Sequence, residues 1–399
     1  MKSLSLLFLS SLLYTNARIL NLKKFDTSTY PLAVCNDGTP SGYYFSPSPN
    51  NSNDWLLFLE GGGMCFDKPS CLARSSDMTS SKGWSAIYNG AGIFNSSTPE
   101  IGNMNLIYVA YCSSDAWTGS ISSSNVPFGF NFRGRDILDA IVQDLITNQN
   151  MGSKPGFNFM FSGCSAGGRG TLFNLDRMYT FLKSSLPTSS NLNYYGGLLD
   201  SAFWMDILPA NSSVIPFGQQ IQDLFTLANS TYALDNDCLT NFPPNEHWKC
   251  MMGEYAVPYL SSPYLLYAFQ YDQFQLTSDF GISFNTVPNK TPSQLAYDEY
   301  FRNITRFSAF KDTITPATPG TAALLPACFK HCNTQDPQFA TLTTNGVTLE
   351  QATVNWFWYN RRNNNNNNNN NNDNKVSAIP AYIVEDCTGF NCGTTCPQV

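Results

Sequence analysis

Gly163-Cys164-Ser165-Ala166-Gly167 is the stretch of this chain that decides its fold. It follows an apolar run at 157–161, and apolar residues at helical spacing follow it over 172–182. A strand, a tight glycine turn and a helix form the context in which G-x-S-x-G becomes a nucleophile elbow, with the serine hydroxyl exposed above the sheet edge. The alternative is a glycine-rich loop that merely contains a serine, but the flanking pattern favours the elbow. The sequence therefore predicts a nucleophile at Ser165.

A second glycine cluster, at 61–63, directly follows another apolar run at 55–59. A continuous apolar run of this length is typical of a strand buried on both faces. Consecutive glycines let backbone N–H groups point into a cavity without obstruction by Cβ atoms. Taken alone, the cluster would be a plain turn after a strand. Paired with an elbow, it predicts an oxyanion hole formed by the N–H groups of Gly62, Gly63 and Ala166, because hydrolases of this kind take donors from these two places.

The general base has two candidates, since the chain contains only His247 and His331. A serine nucleophile usually takes a histidine base, and the hydrolase fold places it after the acid in the chain. His247 lies in a polar loop, where a surface histidine is the simpler interpretation. His331 lies in a late loop between Cys328 and Cys332, and disulfides there would hold the imidazole in one orientation. We therefore predict His331 as the base.

The acid should follow a strand that lies between the nucleophile and the base in the chain. The apolar run at 264–269 predicts such a strand, and Asp272 comes shortly after it, where a carboxylate would emerge at the strand's carboxyl edge. Its role would be to fix the imidazole tautomer and to stabilise the imidazolium. Asp279 is the local alternative, and Asp200 is a more remote one. Most aspartates in proteins are solvated or cap helices, so the prediction of Asp272 depends on its position.

Residues 1–17 have the pattern of a signal peptide, with Lys2, an apolar run at 4–13 and small residues up to Ala17. The run is too short for a bilayer, which needs about 20 apolar residues. We expect cleavage after Ala17, no transmembrane segment, and export to the outside or to a vesicle lumen. In an exported chain, exposed N-x-[ST] sequons accept glycans, and the candidates are Asn50, Asn95, Asn211, Asn229, Asn289 and Asn303.

The chain has 12 cysteines, and an even number in an exported protein predicts disulfides. Zinc is the alternative, but the chain has few histidines and no tight pair of Cys-x-x-Cys knuckles. Cys65 with Cys71, and Cys238 with Cys250, are plausible local bridges. A buried thiol is one alternative for Cys164, inside the elbow, and in that case another cysteine would also be unpaired; the sequence leaves the redox state of Cys164 open.

The formal net charge is −7, and the sequence has no basic stripe, so nucleic acid is a poor candidate partner. The asparagine run at 363–372 cannot bury apolar surface, and we interpret 363–374 as a disordered surface insertion. No linker or internal repeat divides the rest. We expect a monomer with no metal or cofactor.

Several motifs together resemble those of the pectin acetylesterase family, which includes the Notum deacylases. The motifs at 162–168, 59–65 and 132–135 and the cysteine-rich end are similar to plant members, 111–119 is closer to Notum, and 200–204 resembles both branches. The resemblance implies an α/β-hydrolase-like fold: a single domain over 28–399, with a mostly parallel sheet flanked by helices. It also implies a triad of Ser165, Asp272 and His331, because 270–276 is similar to the family's acid segment and His331 fits its Cys-x-x-His element.

This chain departs from the family pattern at three places. Met64 stands where family members usually carry Trp or Tyr beside the oxyanion loop, a residue that helps to shape the acyl pocket. Arg169 replaces a smaller residue at the start of the helix after the elbow. The asparagine run is an insertion. The departure at Met64 leaves the acyl preference open.

The leading hypothesis is a secreted serine carboxylesterase that deacetylates a polysaccharide. A Notum-like enzyme that removes a fatty acyl group from a protein is the second hypothesis, and it would need a deep apolar pocket beside Ser165. A catalytically silent glycan-binding or wall protein is the third, although the predicted triad argues against it.

Overall fold

The computed structural model describes residues 18–187, 192–234, 236–282, 290–314, 318–364 and 378–398. The predicted signal peptide at 1–17 and most of the expected asparagine-rich insertion lie outside these residues. The helices are α1 (Lys68–Leu72), α2 (Pro99–Gly102), α3 (Gly134–Asn148), α4 (Ala166–Ser185), α5 (Phe217–Ala228), α6 (Asn236–Thr240), α7 (Gly253–Ala256), α8 (Pro292–Ile314) and α9 (Leu349–Asn364). The strands are β1 (Ile19–Lys24), β2 (Gly42–Ser46), β3 (Asp54–Leu59), β4 (Ile87–Asn89), β5 (Asn105–Val109), β6 (Phe157–Cys164), β7 (Leu192–Asp200), β8 (Tyr264–Tyr267), β9 (Tyr271–Asp272), β10 (Ala322–Leu325), β11 (Phe329–Lys330), β12 (Thr343–Thr344), β13 (Val347–Thr348) and β14 (Tyr382–Val384).

One large sheet organises the molecule. In the described part of the chain it has ten strands, in the order β14-β10-β8-β7-β6-β3-β5-β2-β1-β4. From β14 to β5 the neighbouring strands are parallel, while β2, β1 and β4 are antiparallel additions at one edge. The expected mostly parallel sheet flanked by helices is therefore confirmed.

The central strands are buried on both faces, because helices cover both. Leu57 and Leu59 of β3 pack in one apolar cluster with residues of α3 and α4. Leu56 and Phe58, which point to the opposite face, pack in a second cluster with residues of α9. Successive side chains of a strand point to opposite faces, so burial on both sides explains the continuous apolar run that the sequence shows here.

The sheet begins before residue 28, where the sequence analysis placed the start of the domain. Strand β1 pairs with β2 over Asn21–Lys24 and with β4 over Ile19–Asn21, and Leu20 is fully buried. This strand is short, and its pairing partners lie elsewhere in the chain, so no local pattern in the sequence marks it.

Every cysteine lies in the described residues, and each forms a disulfide. The predicted local bridges Cys65–Cys71 and Cys238–Cys250 are confirmed. Cys164, whose redox state the sequence left open, is bonded to Cys332, 168 residues away. The pair was not predictable from local spacing, because its two cysteines are far apart in the chain. The remaining bridges are Cys35–Cys112, Cys328–Cys396 and Cys387–Cys392.

Two further expectations concern membrane-spanning segments and glycan acceptors. None of the helices in the described ranges combines the length and apolar character needed to cross a membrane. Among the predicted glycan acceptors, Asn289 lies outside the described residues, and the exposed ones are Asn50, Asn95, Asn211, Asn229 and Asn303.

Candidate active site

Ser165 lies between β6 and α4, at the carboxyl edge of the sheet. Its backbone has φ 58° and ψ −124°, a conformation that a residue with a side chain seldom adopts. Its N–H donates to the Asp200 carbonyl at 3.1 Å, which ties the turn to the end of β7. The predicted strand, tight turn and helix are therefore present, and the turn has the strained geometry of a nucleophile elbow.

The glycines around Ser165 are required by close packing. A Cβ atom on Gly167 would collide with the Leu59 carbonyl oxygen, and one on Gly168 would collide with the Asp200 carbonyl oxygen. Helix α4 can therefore begin directly against the ends of β3 and β7 only with glycine at these positions. Since the first turn of α4 is held there, its free N–H groups face the same edge of the sheet as Ser165.

The glycine loop after β3 lies directly against Ser165. A Cβ atom on Gly61 would lie 3.0 Å from the Ser165 Cβ atom. Gly62 and Gly63 have φ values of 132° and 71°, which favour glycine. In the described residues, the N–H groups of Gly62, Gly63 and Ala166 donate to no protein acceptor. The loop therefore presents free donors next to the serine.

Arg74 fixes the orientation of this glycine loop. Its Nη1 donates to the Gly62 carbonyl at 2.7 Å, and its Nε donates to Ser114 Oγ at 3.1 Å. In a trans peptide the C=O and N–H groups point in opposite directions. Holding the Gly62 carbonyl therefore also sets the direction of the Gly63 N–H. No local motif in the sequence marks Arg74 as a residue of the site.

The loop after β5 is hydrogen-bonded to Glu60, the residue that precedes the glycine loop. The Tyr111 N–H donates to Glu60 Oε2 at 2.7 Å, and Trp117 Nε1 donates to the Glu60 carbonyl at 3.2 Å. Asp115 is fully buried and accepts from Ser113 and from three backbone N–H groups. Burial raises the pKa of Asp115 to about 6, although these hydrogen bonds act in the opposite direction. Asp115 thus holds together the 113–119 segment, which the sequence analysis noted only as a family motif.

The structure brings Asp272 and His331 together. Strands β9 and β11 pair in parallel, with Asp272 opposite Lys330, so the carboxylate and the imidazole leave neighbouring strands at the same end. His331 Nδ1 and Asp272 Oδ2 are 2.8 Å apart, and Asp272 Oδ1 accepts from the Gln275 N–H at 3.0 Å. His331 Nε2 is buried and has no hydrogen-bond partner among the described residues. The second ring nitrogen is therefore free to take a proton from another group.

The surroundings of His331 raise the pKa of its imidazole above the ordinary value. Burial lowers the pKa of His331, but the negative charge and the hydrogen bond of Asp272 raise it, and so does the charge of Asp200. The net effect is a pKa above the ordinary value. This is the direction expected for a base whose imidazolium is stabilised by a carboxylate.

The Cys164–Cys332 disulfide joins the two halves of the site. Cys164 precedes Ser165, Cys332 follows His331, and the two cysteine Cα atoms are 5.8 Å apart. The bridge therefore places Ser165 and His331 in adjacent loops.

Asp200 and Ser201 hold the loop after His331 from the end of β7. Asp200 Oδ2 accepts from the N–H groups of Asn333 and Thr334, both at 2.7 Å. Ser201 Oγ accepts from the Cys332 N–H at 3.0 Å. Burial raises the pKa of Asp200, against the effect of these hydrogen bonds. Asp200 therefore supports the loop as a structural acceptor, whereas the sequence analysis considered it only as a remote candidate acid.

The other candidate residues lie in different surroundings. Asp279 is buried, its Oδ2 has no hydrogen-bond partner in the described residues, and burial raises its pKa well above the ordinary value. His247 is half-buried in a 3-10 helix, Pro244–Met251. In the described structure, His331 Nδ1 is paired with Asp272, and neither Asp279 nor His247 is hydrogen-bonded to that pair.

An aromatic wall lies beside the imidazole. Phe274 and Trp204 have ring centroids 5.3 Å and 6.3 Å from that of His331. Trp204 also contacts Phe217, at 4.8 Å between centroids. The Arg169 guanidinium stands 4.9 Å from the Trp204 ring centroid. We call Trp204, Phe217, Phe274 and Arg169 the site wall.

The sheet order, the elbow at Ser165 and the glycine loop beside it define an α/β-hydrolase. The family follows from sequence comparison. The sequence model of the pectinacetylesterase family matches residues 14–388, and the chain belongs to that family. It is a serine carboxylesterase, an enzyme that acts on ester bonds. The resemblance stated from the motifs is therefore confirmed.

Several characterised proteins are similar over nearly the whole chain. Palmitoleoyl-protein carboxylesterase notum2 of Xenopus laevis is 27% identical over 381 residues, which cover 92% of this chain and 73% of that protein. Human palmitoleoyl-protein carboxylesterase NOTUM is 28% identical over 382 residues, which cover 92% and 71%. The solved structure of the Wnt deacylase Notum from Drosophila has a TM-score of 0.78 at 26% identity, and the match covers 96% of this chain and 100% of that one.

Proposed function

We propose that this protein hydrolyses esters with a catalytic triad of Ser165, His331 and Asp272. The observation that supports this best is the Asp272–His331 hydrogen bond, made in a loop that the Cys164–Cys332 disulfide ties to the elbow. With Nδ1 held by the carboxylate, Nε2 is the nitrogen left to accept the serine proton.

In the proposed first step, Ser165 Oγ attacks the ester carbonyl carbon while His331 Nε2 takes the hydroxyl proton. The carbonyl oxygen becomes an oxyanion, and the N–H groups of Gly62, Gly63 and Ala166 donate to it. His331 then protonates the departing alcohol, which leaves an acyl group on Ser165. Asp272 remains ionised throughout and stabilises the imidazolium.

In the second step, His331 removes a proton from water, and the hydroxide attacks the acyl carbon. The same three N–H groups stabilise the second oxyanion. Collapse of this intermediate releases the carboxylic acid and returns the proton to Ser165. The chemistry of both steps requires no metal or cofactor.

We infer that the substrate is an acetylated polysaccharide. Two facts support this: the chain belongs to the pectinacetylesterase family, and its elbow, glycine loop and cysteine-rich end resemble plant members. The second candidate is an acylated protein, which the names of the palmitoleoyl-protein carboxylesterase relatives favour. A chain-length series of nitrophenyl esters separates the two, since a maximum at eight or more carbons would overturn the acetylesterase proposal.

We also propose that the protein is secreted, as a monomeric glycoprotein. The pairing of every cysteine in disulfides supports an oxidising compartment. The N-terminal pattern at 1–17 and the exposed sequons agree with export. Mass analysis of the secreted chain would check the cleavage after Ala17.

The triad is tested with Ser165→Ala. We expect the kcat for nitrophenyl acetate to fall by about 10⁴- to 10⁶-fold, because removing the nucleophile leaves only binding and oxyanion stabilisation. Ser162→Ala is the matched control, since Ser162 lies three residues earlier in β6 and its hydroxyl donates to the Leu198 carbonyl at 3.1 Å. Unchanged turnover in Ser165→Ala would refute the mechanism.

A further inference from the structure

Arg169 is a buried cation one helical turn after Ser165. Its N–H donates to the Ser165 carbonyl at 2.9 Å, and the residue is 1% exposed. Residues four apart on a helix lie on the same face, so the Arg169 side chain extends from the face of α4 that carries the elbow. Burial lowers its pKa to about 10, and it therefore remains charged at neutral pH.

Aromatic rings and sulfur surround the guanidinium. Its centre lies 4.9 Å from the Trp204 ring centroid, 5.4 Å from that of Phe217 and 5.5 Å from that of Phe173. Nη1 lies 3.2 Å from Met64 Sδ, and Nη2 donates to the Met251 carbonyl at 3.3 Å. Such cation–π contacts hold a guanidinium in an apolar environment.

These contacts place the guanidinium on the buried side of the proposed reaction centre. Met64 directly follows the glycine loop, and Trp204 contacts the His331 ring. Arg169 therefore contacts Met64, which follows the proposed oxyanion donors, and Trp204, which lies against the proposed base. The leaving alcohol of a polymer or a protein is too large to be buried and must remain on the open side of Ser165. The acyl group then has to point inward, toward the site wall.

The space on that side is already occupied by a charged group. A long apolar acyl chain would have to displace the guanidinium from its aromatic contacts or run alongside a buried cation. Nearby polarity reinforces the barrier, because Arg169 Nε and Asp279 Oδ2 are both buried with no hydrogen-bond partner in the described residues. An apolar acyl chain packed beside these groups would offer them no hydrogen bond. An acetyl group adds only one methyl group beyond the carbonyl carbon and so extends the least toward the guanidinium.

We propose that Arg169 is the specificity-determining residue of this enzyme and limits it to esters of short acyl groups, of acetyl size. The inference rests on the proposed esterase function and deepens it, since it names the acyl class that this chain accepts. Met64, which contacts the guanidinium from the glycine loop, closes the same side of the site.

The test compares kcat/KM for nitrophenyl esters of two, four, eight and twelve carbons in the wild-type protein and in Arg169→Thr. We expect the wild-type value to fall at least 100-fold from two to eight carbons. Arg169→Thr, which opens the space, should raise the ratio of the eight-carbon to the two-carbon value by at least 10-fold. Arg177→Thr is the matched control, because it removes an arginine from the same helix whose partners are Asn174 and Asp139.

The outcomes are distinguishable. If the wild-type protein hydrolyses none of the esters, the proposed function fails. If it hydrolyses eight- or twelve-carbon esters best, or if Arg169→Thr keeps the wild-type profile, the esterase function stands and the role of Arg169 is overturned. Should Arg169→Thr fail to fold, Arg169→Leu makes the same comparison, because it keeps an apolar side chain against the aromatic rings. A shift that Arg177→Thr also produces would equally overturn the proposal.

Discussion

The Cys164–Cys332 disulfide should control both the stability and the rate of this enzyme, and its removal tests the geometry of the site directly. The bridge ends one residue before Ser165 and one residue after His331. The double variant Cys164→Ala/Cys332→Ala removes it without leaving a free thiol. The hydrogen bonds from the 332–334 loop to Asp200 and Ser201 remain, so the loop should loosen without detaching.

The stability cost follows from the length of the loop that the bridge closes. For a separation of 168 residues, the chain-entropy relation limits the stabilisation to about 5 kcal/mol at 25 °C. Losses measured on removing native disulfides are typically about 2–5 kcal/mol. We therefore expect the free energy of unfolding to fall by about 2–5 kcal/mol. The Cys238–Cys250 bridge, with a separation of 12, has a limit of about 3 kcal/mol by the same relation and provides the control.

The catalytic cost follows from the position of the imidazole. A displacement of about 1 Å in a catalytic group reduces the rate by about 100-fold. We expect kcat for nitrophenyl acetate to fall by about 10- to 100-fold in Cys164→Ala/Cys332→Ala, and by less than twofold in Cys238→Ala/Cys250→Ala. Urea unfolding and steady-state kinetics at one temperature measure both quantities. If the first variant keeps its kcat within twofold, the bridge does not position the base, and the argument is refuted.

Two further predictions concern the acid and the elbow. Asp272→Asn should lower kcat by about 10³- to 10⁴-fold, because the carboxylate no longer fixes the imidazole tautomer. Burial lowers the pKa of His331 but Asp272 raises it above the ordinary value of about 6.5. Since the neutral base is the active form, the acidic limb of kcat/KM should lie above that pH and move to lower pH in Asp272→Asn; a limb that stays in place would count against the assignment. Gly167→Ala should lower the free energy of unfolding by about 1–3 kcal/mol or more, because the alanine Cβ atom would collide with the Leu59 carbonyl oxygen. A urea midpoint equal to that of the wild-type protein would contradict the close packing of α4 on β3.

Local patterns in the sequence were sufficient for the elements that carry the site. The elbow was predictable because a turn packed this closely requires glycine on both sides of the serine, and that requirement appears as a short motif. The glycine loop after β3 was predictable for the same reason. His331 was predictable as the candidate base because the chain has only two histidines. Its roles with Ser165 and Asp272 remain predictions until the variants are measured.

Contacts between residues far apart in the chain were not predictable. The sequence left the redox state of Cys164 open, and the structure pairs it with Cys332. Asp200, a remote candidate acid in the sequence, supports the loop after His331. Strand β1 begins before residue 28, the expected start of the domain. Its place in the sheet depends on pairing with β2 and β4, which follow it in the chain. In each case, the partner lies far along the chain or depends on register, which no window of sequence contains.

The sequence by itself determined the family, the mostly parallel α/β architecture and the candidate nucleophile, because close backbone approach and two-sided burial restrict which residues can occur at each position. Only the tertiary structure decided which acid contacts His331, which cysteine ties that histidine to the elbow, and where the Arg169 side chain lies. Those facts depend on how separate loops meet at one edge of the sheet. The physical reason is that local sterics are encoded residue by residue, whereas contacts between loops arise only when the strands beneath them are assembled.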